Sequence, residues 1–453
     1  MRSTRELVAI ARRCAAAELS AEVLSVAKHC VLDWLGVTLA GAREPLVRIL
    51  FEQVGRADAG DEARLLGLGS RSSLLTAALI HGTAAHALDY DDTHWGIQGH
   101  PTAPVLSALW GLAERERVSG RALLSALVTG VEVECRLGRW LNPDHYARGF
   151  HATGTLGTFG AAAAAAQLLG LDDAQWAHAF GLAGTQAAGL KSAFGSMAKP
   201  LHVGKAAQNG LLAALLARGG FTGSTQILED AQGFAATHAE MGAPLPAADG
   251  YEISETLFKY HAACHLTHAS MEGLIELMRS EPSALAQLER AELSVDATCL
   301  GVCAIDQPET GLQAKFSLKA TAAMVLLGYA TDDPATFTDE LARSARLADV
   351  MAKVHVNVKP MAATRTELRV RLQGGRTREV TYDSGIPERD LAKQGERLAH
   401  KFERLAPLSA AKSRAVRECV AGLDQLGDVR ELLALLGPHG RGDNREARRR
   451  GDF

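Results

Sequence analysis

Three aspartates, two threonines and three histidines crowd the stretch HALDYDDTHWGIQGHPTAPVLSALWGLAE at residues 86–114. Carboxylates at Asp89, Asp91 and Asp92 beside Thr93, His94 and His100 are costly to bury unless partnered. Their density between apolar helices is what a site that moves protons or handles charged ligands requires. Aspartates are also ordinary helix caps, but capping alone asks for one of them, not three. Asp91-Asp92 opens a pattern similar to the diphosphate-binding DDxx(D/E) motif, which would hold magnesium. Trp95 stands where the third acid belongs, so the spacing argues against a metal.

Other candidates lie further along. His151, Lys199 and His202 share with His100 one kind of position, a junction between a loop and an Ala/Gly-rich helix, which permits convergence on a ligand. Singly, each has a plainer role: a helix-start histidine, a surface lysine, and, for Tyr146, a half-buried phenol. The segment FKYHAACHLTHAS brings His261, His265 and His268 together around Cys264. Without a carboxylate at helical ligand spacing, these histidines read as hydrogen-bonding or substrate-orienting groups rather than zinc ligands. Cys264 lacks any partner motif for a nucleophile. GxSxG, P-loop and Rossmann glycine patterns are missing in context, which removes the common nucleophile and nucleotide chemistries.

The chain of 453 residues has 48 Lys+Arg against 52 Asp+Glu, a formal charge of -4. No strong attraction to nucleic acid or to an anionic membrane follows. Its seven cysteines are scattered without a CxxC pair, which fits reduced thiols in the cytoplasm. Arg5, Glu6, Arg12 and Arg13 interrupt the N-terminus, so it reads as lacking a signal core. No later run reads as about 18 uncharged apolar residues, so no membrane span is expected.

The elements that must position the candidates are mostly helical. Residues 22–40, with Ser20 as N-cap, and 73–87 read as core helices, the second delivering the acidic cluster at its end. Residues 60–69 read as loop. Helices at 102–114 and 120–137 follow, then, after Asn142-Pro143, a helix containing six alanines, Ala161 to Ala166, suited to a tight interior. Asp172, Asp173 and Trp176 open another. Pro200 biases Lys199 away from helical geometry and sets it at a helix entrance. Helical character weakens around 242–250.

The texture then changes. Residues 289–304 alternate as a strand, with Cys299 and Cys303 inside it; 315–328 and 337–352 read as helices; 353–360, 365–374 and 378–383 read as strands. The expected fold class is mainly α: a large all-helical domain (residues 1–268), a smaller α+β domain with one antiparallel sheet and helices on one face (269–390), and a helical segment (391–453) that returns to the first. The basic tail RGDNREARRRGDF reads as solvated.

Taken together, VLDWLGVTLAGA, HALDYDDTH with HPTAPVL, GFHATGTLGTFGAAAAAAQLLGLD, KPLHVGKAAQNG, FKYHAACHLTHA and AKFSL resemble the MmgE/PrpD family over nearly the whole length. That family includes 2-methylcitrate dehydratase, cis-aconitate decarboxylase and iminodisuccinate epimerase. The resemblance implies a discontinuous helical domain, a smaller α+β domain, a homodimer, and chemistry on small di- or tricarboxylates without metal or cofactor. It also implies site roles for Asp89, Thr93, His100, His151 and Lys199, and for His265 or His268 in the boundary motif. Two departures stand out: Ala320 occupies the position where the dehydratases and decarboxylases keep a tyrosine, and Tyr146 precedes GFH where they do not.

The chemistry expected from this resemblance is removal of a proton from a carbon beside a carboxylate. His100, His151 or Lys199 would be the acid/base groups, Asp89 would orient a histidine, and Thr93, His202, His265 and His268 would hold substrate. Loss of a β-hydroxyl would make a dehydratase, the outcome favoured narrowly. Return of the proton to the opposite face, with Tyr146 and Lys199 as the pair, would make an epimerase; decarboxylation ranks next. A non-catalytic polycarboxylate binder is the rival class, though arginines would serve plain binding better.

Overall fold

Short polar side chains set the helix starts. In the computed structural model, which describes residues 3–240, 250–281 and 286–436, Ser20, Ser73, Ser119 and Asp172 each accept a hydrogen bond from a backbone N–H of the first turn that follows. The basic tail and nearly all of the 242–250 loop lie outside the described residues. The chain is mainly α, with a smaller α+β part, and separates into two compact units. Unit 1 comprises Met1–Ala87, His94–Thr256 and Asp390–Phe453; unit 2 comprises Leu88–Thr93 and Leu257–Arg389.

In unit 1 the helix Ala21–Gly41 is long and apolar enough, by length and composition, to cross a membrane, although it carries Lys28 and Asp33. Trp34, Leu35 and Val37 are nonetheless buried among the unit's own helices, and Asp33 pairs with Lys401 of the helix Leu391–Leu405 at 2.6 Å. Gly36 leaves room for Phe402 beside it. An ion pair this enclosed needs its partner to be tolerated, so the pair ties the helix Leu391–Leu405 to the helix Ala21–Gly41. The expected 60–69 loop contains a short strand, Ala63–Leu65, which pairs with Ser70–Ser72 just beyond it.

The helices Leu74–His86, Ala152–Leu168 and Ala198–Arg218 pack so closely that several contacts are backbone on backbone. A Cβ on Gly82 would lie 2.7 Å from Gly204 Cα, and one on Gly204 would lie 2.3 Å from Leu79 O. Ala161 to Ala166 are fully buried. Lys199 is the second residue of its helix, with Pro200 in the first turn. The expectation that proline displaces Lys199 from helical geometry is corrected, since a first-turn proline forfeits no intrahelical bond.

Unit 2 is built on a four-stranded sheet. Val354–Val358 lies at one edge, followed by Leu288–Val295, Arg365–Leu372 and Thr377–Asp383. Two pairings are antiparallel as expected; the edge strand Val354–Val358 runs parallel to Leu288–Val295. Leu293, Leu368 and Val370 join Leu274 of the helix His268–Ser280 and Met324 of the helix Leu318–Leu326 in one core. The 289–304 strand is shorter than expected: Asp296 caps a short helix, Ala297–Val302, so Cys299 is helical. The expected 337–352 helix divides into Asp339–Ala342 and Ala345–Met351 because Ser344 caps a second start.

Gly204→Ala should lower stability by about 1–3 kcal/mol, since the added methyl meets the backbone carbonyl of Leu79 and the hydroxyl of Thr83. Denaturant unfolding measures it. A variant as stable as the parent would show that the crossing can yield.

Candidate active site

His151 lies immediately before Ala152–Leu168 as its N-cap, in extended backbone geometry. Its N–H donates to Gly189 O at 3.0 Å, and Phe150 bridges Leu190, so the 189–191 segment runs alongside. Gly189 has φ +147, and a side chain there would press on the rings of His202 and on His151. In the space so kept, His151 Nδ1 and His202 Nδ1 are 3.1 Å apart.

His100 reaches the same place from a tight turn. His94 N donates to Gly99 O at 2.9 Å, and Gly96 N donates to His94 Nδ1 at 2.9 Å. The other ring nitrogen of His94 donates to Glu252 O at 2.8 Å, and Arg139 Nε lies 2.8 and 2.9 Å from the Glu252 carboxylate oxygens. The turn's last peptide is fixed by His100 N donating to Thr153 Oγ1 at 3.1 Å. The His100 ring meets His86 edge-on at 4.4 Å, and His86 lies 5.8 Å from His151. Phe194 lies perpendicular to the His151 ring at 5.1 Å, with Lys199 Nζ 5.1 Å from the Phe194 ring centre.

Unit 1 therefore brings together His86, His100, His151, Lys199 and His202, all buried except His202, which is partly exposed. Enclosure pushes the His151 pKa well below its ordinary 6.5, and positive charge on His86, Lys199, His202 and His100 pushes the same way. His202 is lowered by burial and then by Lys199. A neutral imidazole beside a lysine can accept a proton while the lysine attracts an anion.

Unit 2 holds Asp89, Thr93, His265 and His268. Asp89 adopts φ +51, sparsely occupied outside glycine though tolerated by aspartate. The buried Lys259 ammonium donates to the Asp89 carbonyl and lies 3.2 Å from its Oδ1. Thr93 Oγ1 is 2.9 Å from His265 Nδ1, and His265 Nε2 donates to Ser384 O at 3.0 Å. His268 stacks parallel on His265 at 5.1 Å and donates from Nε2 to Ala263 O at 3.2 Å. Burial, then the charges of His261, His265 and Lys259, hold His268 well below the ordinary histidine range. Of the two boundary histidines, only His265 is partly exposed.

Tyr146 is engaged by Lys191, whose Nζ lies 3.7 Å from the ring centre and donates to Tyr146 O at 3.2 Å. Ala320 is fully buried in the unit 2 core, so no phenol is presented from that position. Sequence reasoning counted His86 in the polar stretch without giving it a role, and passed over Lys191, Phe194 and Lys259. His86 ends an apolar helix and Phe194 sits in a polar interruption, so neither carried a pattern. Lys259 adjoins the histidine segment, and proximity to it was the available signal.

A family model described as the MmgE/PrpD N-terminal domain matches residues 5–244, and one described as the MmgE/PrpD C-terminal domain matches residues 261–425. Among curated proteins, the chain is similar to a cis-aconitate decarboxylase of Aspergillus terreus (strain NIH 2624 / FGSC A1156), 27% identical over 474 residues, covering 96% of this chain and 95% of that protein. It is similar to cis-aconitate decarboxylase of Homo sapiens, 28% identical over 444 residues, covering 92% and 91%. The Mus musculus protein of the same description is 30% identical over 257 residues, covering 54% of this chain and 52% of that protein.

Because its folded-state pKa is lowered, His151 is neutral in the native protein where the unfolded chain would already be charged, so acidification below about 6.5 removes stability. Lys199→Met deletes one of the charges opposing protonation, and histidine-selective NMR should show the His151 midpoint moving up. An unchanged or lower midpoint would mean that the ammonium does not act on this ring.

Proposed function

The chain belongs to the MmgE/PrpD family, and from that premise we propose that it is a lyase acting on a small di- or tricarboxylate by proton transfer at a carbon beside a carboxylate. The observation that carries this reading is the cluster of His100, His151 and Lys199 with His86 and His202. These residues are remote in sequence yet converge, and an ammonium set among imidazoles is suited to receiving an anion beside groups that can exchange a proton.

In this reading Lys199 attracts a substrate carboxylate, and His100 and His151 exchange the proton. Whether the bond broken is to hydroxyl or to a carboxyl carbon, electrons accumulate on a carbon next to a carboxylate. Fixed donors around that carboxylate lower the barrier. Within unit 2, Asp89 is held by Lys259 and Thr93 lies beside His265; the family resemblance gives Asp89 and Thr93 roles as well. The curated relatives named as cis-aconitate decarboxylases support decarboxylation ahead of the dehydration that the family resemblance narrowly favoured, and make cis-aconitate the first acid to test. The homodimer and the cytoplasmic location belong to the same reading.

Conversion of cis-aconitate, 2-methylcitrate and iminodisuccinate can be followed by NMR in deuterated water. Release of carbon dioxide, appearance of an alkene by loss of water, or inversion with exchange distinguishes the outcomes. The wild-type chain should convert a polycarboxylate by one of the first two, and His151→Gln should lower kcat roughly 10²–10⁴-fold. Epimerisation alone, or binding without any conversion, would refute the lyase reading.

A further inference from the structure

The contact between His151 and His202 has a feature that plain packing does not require: the two rings face each other through like atoms, Nδ1 to Nδ1, at 3.1 Å. Two ring nitrogens at that distance share one proton, since two N–H groups would repel and two lone pairs would make no bond. The tautomers of the rings are thereby linked. When His151 donates from Nδ1, its Nε2 carries a lone pair and is a base. When His202 donates instead, a neutral His151 carries its proton on Nε2 and is an acid.

The fold protects this contact. Gly189, at φ +147, would bring a Cβ within 3.3 Å of His202 Nδ1, and a Cβ on Gly154 would lie 3.1 Å from His202 Cβ and 2.6 Å from Ala188 O. Phe194 stands perpendicular to the His151 ring, with the ring centres 5.1 Å apart. His151 is buried, whereas His202 is partly exposed, so the pair spans from interior to surface. The groups around His151 are His86 from Leu74–His86, His100 from the 94–100 turn, and Lys199 and His202 from Ala198–Arg218. All are cationic when protonated, so a proton left on His151 is opposed from every one of them.

We propose that His202 is a proton relay, carrying protons between bulk water and His151 through their shared Nδ1 contact. The proposal rests on the lyase reading and deepens it by assigning the path of the proton. As His151 Nε2 takes a proton from substrate, its Nδ1–H passes to His202 Nδ1, and the proton on His202 Nε2 leaves to water. The reverse sequence delivers a proton. Each ring gains and loses one proton, and no other reactant is needed. His202 acts through His151 and is thus a positioning and relay residue, distinct from the group that meets substrate.

The test uses the full-length chain, with turnover of cis-aconitate first and of any other acid the wild type converts. His202→Asn keeps an oxygen able to accept from His151 Nδ1 but cannot pass a proton on. It should lower kcat roughly 10- to 100-fold with KM within about two-fold, and added imidazole should restore part of the rate. His202→Gln serves as the second variant should the first fold poorly. Wild-type kcat in the variant, or a loss that imidazole does not relieve, overturns the relay. Histidine-selective 15N NMR of the wild type separates this from failure of the lyase reading, because it needs no substrate. Linked tautomer changes at His151 and His202 across the pH range support the relay even if no acid is converted; independent titration of the two rings overturns it.

Discussion

Close approach of helix backbones is the constraint on which the rest of unit 1 depends. Side chains of ordinary size at Gly82, Gly154 or Gly204 would force Leu74–His86, Ala152–Leu168 and Ala198–Arg218 apart. With glycine there, and alanine at 161–166, the ends of these helices come near enough for His86, His151, Lys199 and His202 to share one neighbourhood. Interiors packed at this density transmit displacement instead of absorbing it. The small residues are therefore part of the site although none of them carries chemistry.

That packing has an electrostatic consequence. Imidazoles withdrawn from water beside an ammonium resist protonation, and His151 is held well below its ordinary value by burial first and neighbouring charge second. Unit 2 solves a related problem with opposite charges: Asp89, in left-handed backbone geometry, is held by the buried Lys259. A non-glycine residue kept at positive φ is sustained by its surroundings, and such positions gather at functional sites. The family assignment and the lysine and histidine cluster of unit 1 suit a ligand with several carboxylates.

Much of this was legible in the residues because local signals sufficed. Ser20 and Asp172 mark helix starts by short-range capping, and His100, His151 and Lys199 share a recognisable junction between loop and small-residue helix. What escaped depends on tertiary context. Edge strands alternate alike whether parallel or antiparallel, so the direction of Val354–Val358 was not written in its pattern. Ser344 and Asp296 are short polar residues within runs of otherwise continuous periodicity, and their caps redirect the chain. The membrane-like composition of Ala21–Gly41 reflects a helix enclosed on nearly all sides. His86 and Phe194 acquire their places only when distant helices meet.

The central claim is that the histidine and lysine cluster exists to receive a polycarboxylate, with His151 kept neutral until the anion arrives. Thermodynamic linkage makes this measurable: an anion bound beside His151 stabilises its protonated form, so binding must take up protons. Calorimetric titration with a non-reacting tricarboxylate, in buffers of different ionisation enthalpy, reads that uptake directly. The account predicts net proton uptake that grows as the pH falls from about 8 towards the ordinary histidine range near 6.5. Binding with no proton uptake at any pH in that range, or no binding, would contradict it.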